Sequence, residues 1–317
     1  MARHGKKRLL ARLGVILALA AAFGLAASGA IAQMRGGRGG GGMPGGEGMR
    51  GGRGGGEGRG GGEKEGEEPG FPGAGQGLDR FTYCAIWRAG QCGIRPAIER
   101  GLFETGLSPA FPAGADCPPI DEGYAISYSR KRDREQYHGG IDMPAPSATP
   151  IIAAAAGTVA GKFTGARTFR GIEIVLRHSP EDTGIPLWIY TQYTHFSEMP
   201  KQAVGQRVRM GEVLGPTGNT GIDRTGAQSV RRRPAIHFGV FYSENERFAA
   251  LGMAVIPLEA RWMDPVALYW GRLPLDSRAM KALPEEEKKV PIAVMYEEGA
   301  VHPPGARIIW PYACKRK

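Results

Sequence analysis

Cysteine is scarce in this chain of 317 residues: there are four, and no two stand in Cys-x-x-Cys spacing. The familiar thiolate zinc knuckle is therefore missing. Histidine is rare too, with six in all. His4 lies at the amino terminus, and His302 sits between Val301 and Pro303 with no partner motif. His178 follows the β-branched and apolar run Ile172 to Leu176, where a structural role is the plainer reading. That leaves His138, His195 and His237 for chemistry. A dominant charge of one sign is also lacking. The formal net charge is +10, but Arg3, Lys6, Lys7, Arg8 and Arg12 belong to an amino-terminal segment of leader type. About half the excess remains without them, which is no nucleic-acid signature.

That segment has a basic head, an apolar run from Leu13 to Ala32, and the small-x-small triplet Ala30-Ile31-Ala32 before Gln33. Residues 1–32 read as a secretory signal peptide. If uncleaved, the run is long enough to act as a membrane anchor. Residues 33–77 then hold nearly half of the chain's 51 glycines, interspersed with Arg and Glu whose charges cancel. So few apolar side chains cannot offset the entropy of ordering, and the stretch reads as a disordered tether and not as an RNA-binding repeat. An exported chain favours two disulfides among Cys84, Cys92, Cys117 and Cys314, with three connectivities open.

Composition becomes globular from Leu78. Residues 78–129 form an amino-terminal Cys-containing lobe, with Phe81–Trp87 either a strand or the first turns of a helix and Pro96–Phe103 weakly helical. Residues 130–270 read as short strands between Gly and Pro turns, as all-β folds do. Residues 271–317 form an extension packed on the core, with Ile292–Tyr296 and Ile308–Trp310 as strand candidates.

The central feature is Tyr137-His138-Gly139-Gly140-Ile141-Asp142-Met143-Pro144. A glycine pair followed closely by proline argues against helix, so the segment is predicted to be extended. Residues four apart on a strand share a face, yet stand about 13 Å apart at a rise of about 3.3 Å per residue. Two ligands of one zinc ion have donor atoms only about 3–3.5 Å apart. For His138 and Asp142 to meet at one ion the backbone must bend, and Gly139-Gly140 supplies the freedom. Further on, Ala235–Tyr242 reads as a strand that carries His237 among apolar residues. A His/Asp/His set has the composition of a catalytic zinc site with one position left for water.

Taken in order, these motifs resemble the lysostaphin-type (LytM-domain) zinc endopeptidases that cut peptidoglycan peptides. His138 and Asp142 match the family's HxxxD motif. Thr149–Ala154 and Gly157–Val159 resemble its "TPV-A---G-V" strand pair, and Ile174–His178 its "V-I-H" strand. Tyr193-Thr194-His195-Phe196 resembles "YAHL". Val204–Val208 with Gly211–Gly215 resembles the "V-GQ-V--G--IG" hairpin, Thr217–Gly221 resembles "VGNTG", and His237-Phe238 matches the second half of HxHFE. The likeness runs from about residue 130 to 270.

The resemblance implies a mainly β fold, a twisted antiparallel sheet with a metal groove and small amino- and carboxy-terminal extensions. It implies Zn2+ on His138, Asp142 and His237, with His195 as the catalytic histidine. The family's last motif carries a further histidine, which is thought to act with the "YAHL" histidine; Ala235 stands there. An arginine of the Arg231-Arg232-Arg233 run offers a partial replacement, with Arg233 as the candidate for substrate binding. The implied activity is hydrolysis of peptidoglycan stem-peptide cross-links in the periplasm or cell envelope. The only membrane contact foreseen is through an uncleaved leader. The alternative is a metal-holding or non-catalytic scaffold that binds peptidoglycan or activates a cell-wall amidase.

Overall fold

The β-branched and aromatic runs form one antiparallel sheet of seven strands: β1 Ile141–Pro144, β2 Gly157–Phe163, β3 Ile172–His178, β4 Trp188–Phe196, β5 Arg207–Val208, β6 Ala235–Ser243 and β7 Arg261–Met263. The order is β5-β2-β3-β4-β6-β7. The far edge of β6 is shared, its first half pairing with β1 and its second half with β7. These relations come from a computed structural model that describes residues 70–88, 90–121, 123, 126–129, 132–222, 226–228 and 232–317. The leader, most of the tether and Arg231 lie outside the described residues. No helix among the described residues is long and apolar enough to cross a membrane.

Period-two alternation assigns the two sheet faces. Ile236, Phe238 and Val240 of β6 join Tyr193 and Ile189 of β4 in the main core, all fully buried. On the opposite face lie Asp142, His237, Gln192 and Phe241. The lower half of this second face is covered by helix α1, Arg80–Trp87. Phe81–Trp87 is thus helical. Asp79 caps the helix by accepting from the Thr82 amide, and Arg88 ends it with a left-handed φ of 57°. Trp262 Nε1 donates to Ala85 O at 3.0 Å, which seats the helix on β7. The upper half of the second face carries the site.

The segments before and after the central sheet share its core. Ser108–Ala110 runs parallel to Lys289–Pro291, and Ala115–Asp116 pairs with Lys315–Arg316. Disulfides join Cys84 to Cys92 and Cys117 to Cys314, the latter fastening the tail to the amino-terminal segment. Of the two carboxy-terminal strand candidates, Val294–Met295 pairs with Val301–His302. In Ile308–Trp310, Ile308 bridges Ala155, the Ile309 and Trp310 amides donate to Ala154 O and Ala293 O, and Trp310 Nε1 donates to Pro118 O. The tether ends sooner than residue 77. Gln76 exchanges two hydrogen bonds with the Ala250 backbone, and Phe71 tilts against Tyr83, so two anchoring side chains order residues that composition alone assigns to a coil.

His178 is fully buried. Its Nδ1 lies 2.6 Å from Ala156 O and its Nε2 2.7 Å from Thr191 Oγ1, so both nitrogens are satisfied in the neutral ring. Burial lowers its pKa to about 4. A folded value below the unfolded one gives stability that is present above pH about 6.5 and is lost as pH falls through 4. The difference in unfolding free energy between wild type and His178→Gln is expected to narrow by about 3 kcal/mol from pH 7 to pH 4. Denaturant melts at a series of pH values check this, and a constant difference refutes it.

Candidate metal centre

His237 sits in the middle of three strands, directly opposite Thr194 of β4 on one side and Asp142 of β1 on the other. Directly opposed residues of an antiparallel pair project from the same face, so register alone brings Asp142 and His237 together. His138 precedes β1 and arrives by a turn. Gly139 has φ +74°, which reverses the chain just before the strand starts. Gly140 allows close approach: a Cβ there would stand 2.5 Å from Phe238 O and 2.7 Å from His237 Nε2. The bend required by the four-residue spacing is present at the two glycines.

Three donor atoms converge. His138 Nε2 is 3.1 Å from Asp142 Oδ1, His237 Nδ1 is 2.9 Å from the same oxygen, and the two imidazole nitrogens are 3.2 Å apart. This is the spacing of ligands around one small cation. His138 is oriented from behind, because Nδ1 lies 2.7 Å from Gly123 O and so carries the proton, leaving the Nε2 lone pair to face the cluster. Burial opposes ionisation of Asp142, but the charges and hydrogen bonds of His138 and His237 outweigh it and hold the carboxyl well below the usual range. Burial lowers His237 to about 4. A carboxylate beside two imidazoles, each with a ring nitrogen turned inward, is a donor set that fits Zn2+.

His195 is not one of this group. It lies beside it, its ring edge-on to His237 with centroids 6.3 Å apart. Its backbone is unusual for a residue near the end of a strand. Between the pairs Glu173–Thr194 and Ile172–Phe196, His195 is the extra residue of a β-bulge, with φ +66°. A left-handed conformation is uncommon outside glycine, and the bulge turns this side chain towards the site. Nδ1 lies 2.8 Å from Thr220 O. Burial, then the nearby charge of Arg232, lower its pKa to about 3.

Of the basic run, Arg233 pairs instead with the carboxylate of Asp121, whose amide donates to Asp142 O. The arginine against the site is Arg232. Its Nη1 is 2.8 Å from His195 Nδ1 and 3.3 Å from Nε2, and donates to Phe169 O and Thr220 O. Two further groups near the site gave no signal in the sequence. Arg88, at the end of α1, packs against Gly139 and contributes a positive charge near His237. Glu173 is buried on the site face, accepting from Gln192 Nε2 at 2.7 Å and paired with Arg170. Arg88 acts across a contact between segments far apart in the chain, which no local pattern encodes, and Glu173 acts through the pairing of neighbouring strands.

Residues 136–248, which span all four of His138, Asp142, His195 and His237, match the family model of peptidase family M23. This part of the chain is an M23 peptidase domain. The family consists of metallo-endopeptidases that act on peptidoglycan. No curated protein sequence matches the chain. Among solved structures, the M23 domain here is similar to LytU at 25% identity, covering 39% of this chain and 72% of that one with a TM-score of 0.30. It is similar also to an alanine-to-histidine variant of the catalytic domain of the prophage-encoded M23 protein EnpA from Enterococcus faecalis, at 22% identity, 42% and 85% coverage and a TM-score of 0.29. A third is the catalytic domain of the antimicrobial peptidase lysostaphin from Staphylococcus simulans, at 23% identity, 33% and 68% coverage and a TM-score of 0.27.

Gly140→Ala places a methyl group against backbone and His237, where nothing flexible can yield. It is expected to destabilise the M23 domain by about 1–3 kcal/mol, measured by denaturant melts. Unchanged stability would show that the close approach of His237 to Gly140 is not needed.

Proposed function

We propose that the protein is an exported, zinc-dependent endopeptidase that hydrolyses peptidoglycan stem-peptide cross-links in the periplasm or cell envelope. The observation that carries this reading is the convergence of His138 Nε2, Asp142 Oδ1 and His237 Nδ1 to within 3.2 Å of one another in an M23 domain. Those three residues would hold the ion. Bound there, Zn2+ supplies Lewis-acid polarisation of the scissile carbonyl and a lowered pKa for water.

The chain's own groups do the rest. Asp142 brings the one negative charge, and Gly123 O fixes the ring of His138. His195, neutral through burial, stands next to the reacting centre, where it moves a proton or donates a hydrogen bond to the developing oxyanion. The leader directs the chain out of the cytoplasm, and the glycine-rich tether gives the domain reach if the leader is retained.

A second reading has one observation in its favour. Ala235 lies two residues before His237, and its methyl group can neither move a proton nor donate a hydrogen bond. A site short of a catalytic group suits a metal-holding scaffold that binds peptidoglycan or activates a cell-wall amidase.

The purified protein is expected to hold one zinc per chain and to cleave cross-linked muropeptides. His237→Ala should lose both the metal and the cleavage. His195→Ala should keep the metal while turnover falls about 10²–10⁴-fold. Elemental analysis and chromatography of the digests check this. Stoichiometric zinc and wall binding without cleavage would sink the peptidase reading in favour of the scaffold.

A further inference from the structure

Two contacts hold His195 from behind, and both lead to one turn. The amide of this bulged residue donates to Arg170 O at 3.1 Å, and its ring nitrogen Nδ1 lies 2.8 Å from Thr220 O. Thr220 is held by the same turn. Ile172 N donates to Thr220 Oγ1 at 3.0 Å, and that hydroxyl donates to Phe196 O at 2.7 Å. Gly171, with φ +62°, lets the turn press in, since a Cβ there would stand 2.4 Å from Thr220 O. Residues 170–173 thus reach His195 through its backbone and, by way of Thr220, through its ring.

The turn is closed by its own side chains. Arg170 Nε lies 3.1 Å from Glu173 Oε2. Glu173 is 2% exposed. It stands opposite Thr194 on one side as His237 does on the other, so its carboxylate belongs to the site face. Its second oxygen accepts from Gln192 Nε2 at 2.7 Å. The Arg170 guanidinium lies over the Trp87 ring, 4.6 Å from the centroid, and Nη2 donates to Met253 O at 3.4 Å. A carboxylate this deep is costly unless it is paired. A buried ion pair seldom stabilises a fold more than apolar side chains of like volume would, so stability alone is a poor reason for this one.

The geometry points to the ion pair of Arg170 and Glu173 as the device that positions His195. It fixes the turn whose Arg170 carbonyl holds the extra residue of the bulge and whose Ile172 amide holds Thr220. Without the pair, the left-handed backbone at His195 loses its anchor and the ring is no longer aimed at the site. Arg170 and Glu173 are positioning residues: they act through His195. Only the consequence for turnover rests on the proposed hydrolysis; the placement of His195 does not.

Amide hydrogen exchange in the purified full chain, read residue by residue by NMR, tests the placement. Glu173→Gln and Arg170→Met are each expected to speed exchange at His195 about tenfold beyond any change shared by the rest of β4, as the loss of one hydrogen bond would. Arg170→Lys, which keeps a cation for Glu173, should stay close to wild type. Arg170 is on the solvent side of the pair, so Arg170→Met decides even if Glu173→Gln fails to fold. In zinc-loaded protein that cleaves, both variants should lower kcat by up to about 10²-fold, with KM and zinc content unchanged and rescue by Lys. Exchange at His195 that moves only with the rest of β4, or an unmoved kcat, overturns the proposal. The expected exchange in a chain that cleaves nothing would refute the peptidase reading and leave the positioning of His195 standing.

Discussion

One rung of an antiparallel ladder, Asp142 opposite His237, is the constraint on which the site depends. A slip of one residue would send every side chain of β6 to the other face, carrying His237 into the apolar core and Phe238 to the site. The register resists such a slip because β6 is buried along its whole length and clamped on both edges, by β4 on one and by β1 and β7 on the other. His138 enters later in the logic of the fold though earlier in the chain. It reaches the rung only because two glycines let the backbone turn and press close.

Burial sets the electrostatics of this group. His195 and His237 are neutral because their surroundings penalise a charged ring, and Asp142 is ionised because two imidazoles outweigh the same penalty. The arrangement gathers two ring nitrogens around a single negative charge, which suits a cation. Positive side chains stand further out, Arg88 behind Gly139 and Arg232 against His195. They come from segments about 140 residues apart, on opposite sides of the sheet's central strands in the sequence.

The ends of the described chain serve the same sheet. Helix α1 closes the lower half of the face whose upper half carries the site, and Arg88 is the residue that caps its carboxy-terminal end. The Cys117–Cys314 bond and the pairing of Ala115–Asp116 with Lys315–Arg316 tie the tail back, and Tyr312 reaches Thr217 in the loop that leads to Thr220. Through that loop the carboxy-terminal extension supports the carbonyl beside His195.

The sequence by itself determined the strand pattern, the candidate donors and the need for a bend at Gly139-Gly140, since alternation, residue chemistry and chain dimensions are local properties. It also narrowed the chemistry to three histidines, with His4 at the amino terminus, His302 outside any motif and His178 in a structural position. What only the tertiary structure decided depends on contacts between distant segments. Arg233 is drawn to Asp121 while its neighbour Arg232 lies against His195. The bulge at His195 arises from a mismatch between two strands, and Phe81–Trp87 is helical because Asp79 caps it and β7 receives it. The cysteine pairing, one of three choices on paper, follows from which thiols the packed chain brings together.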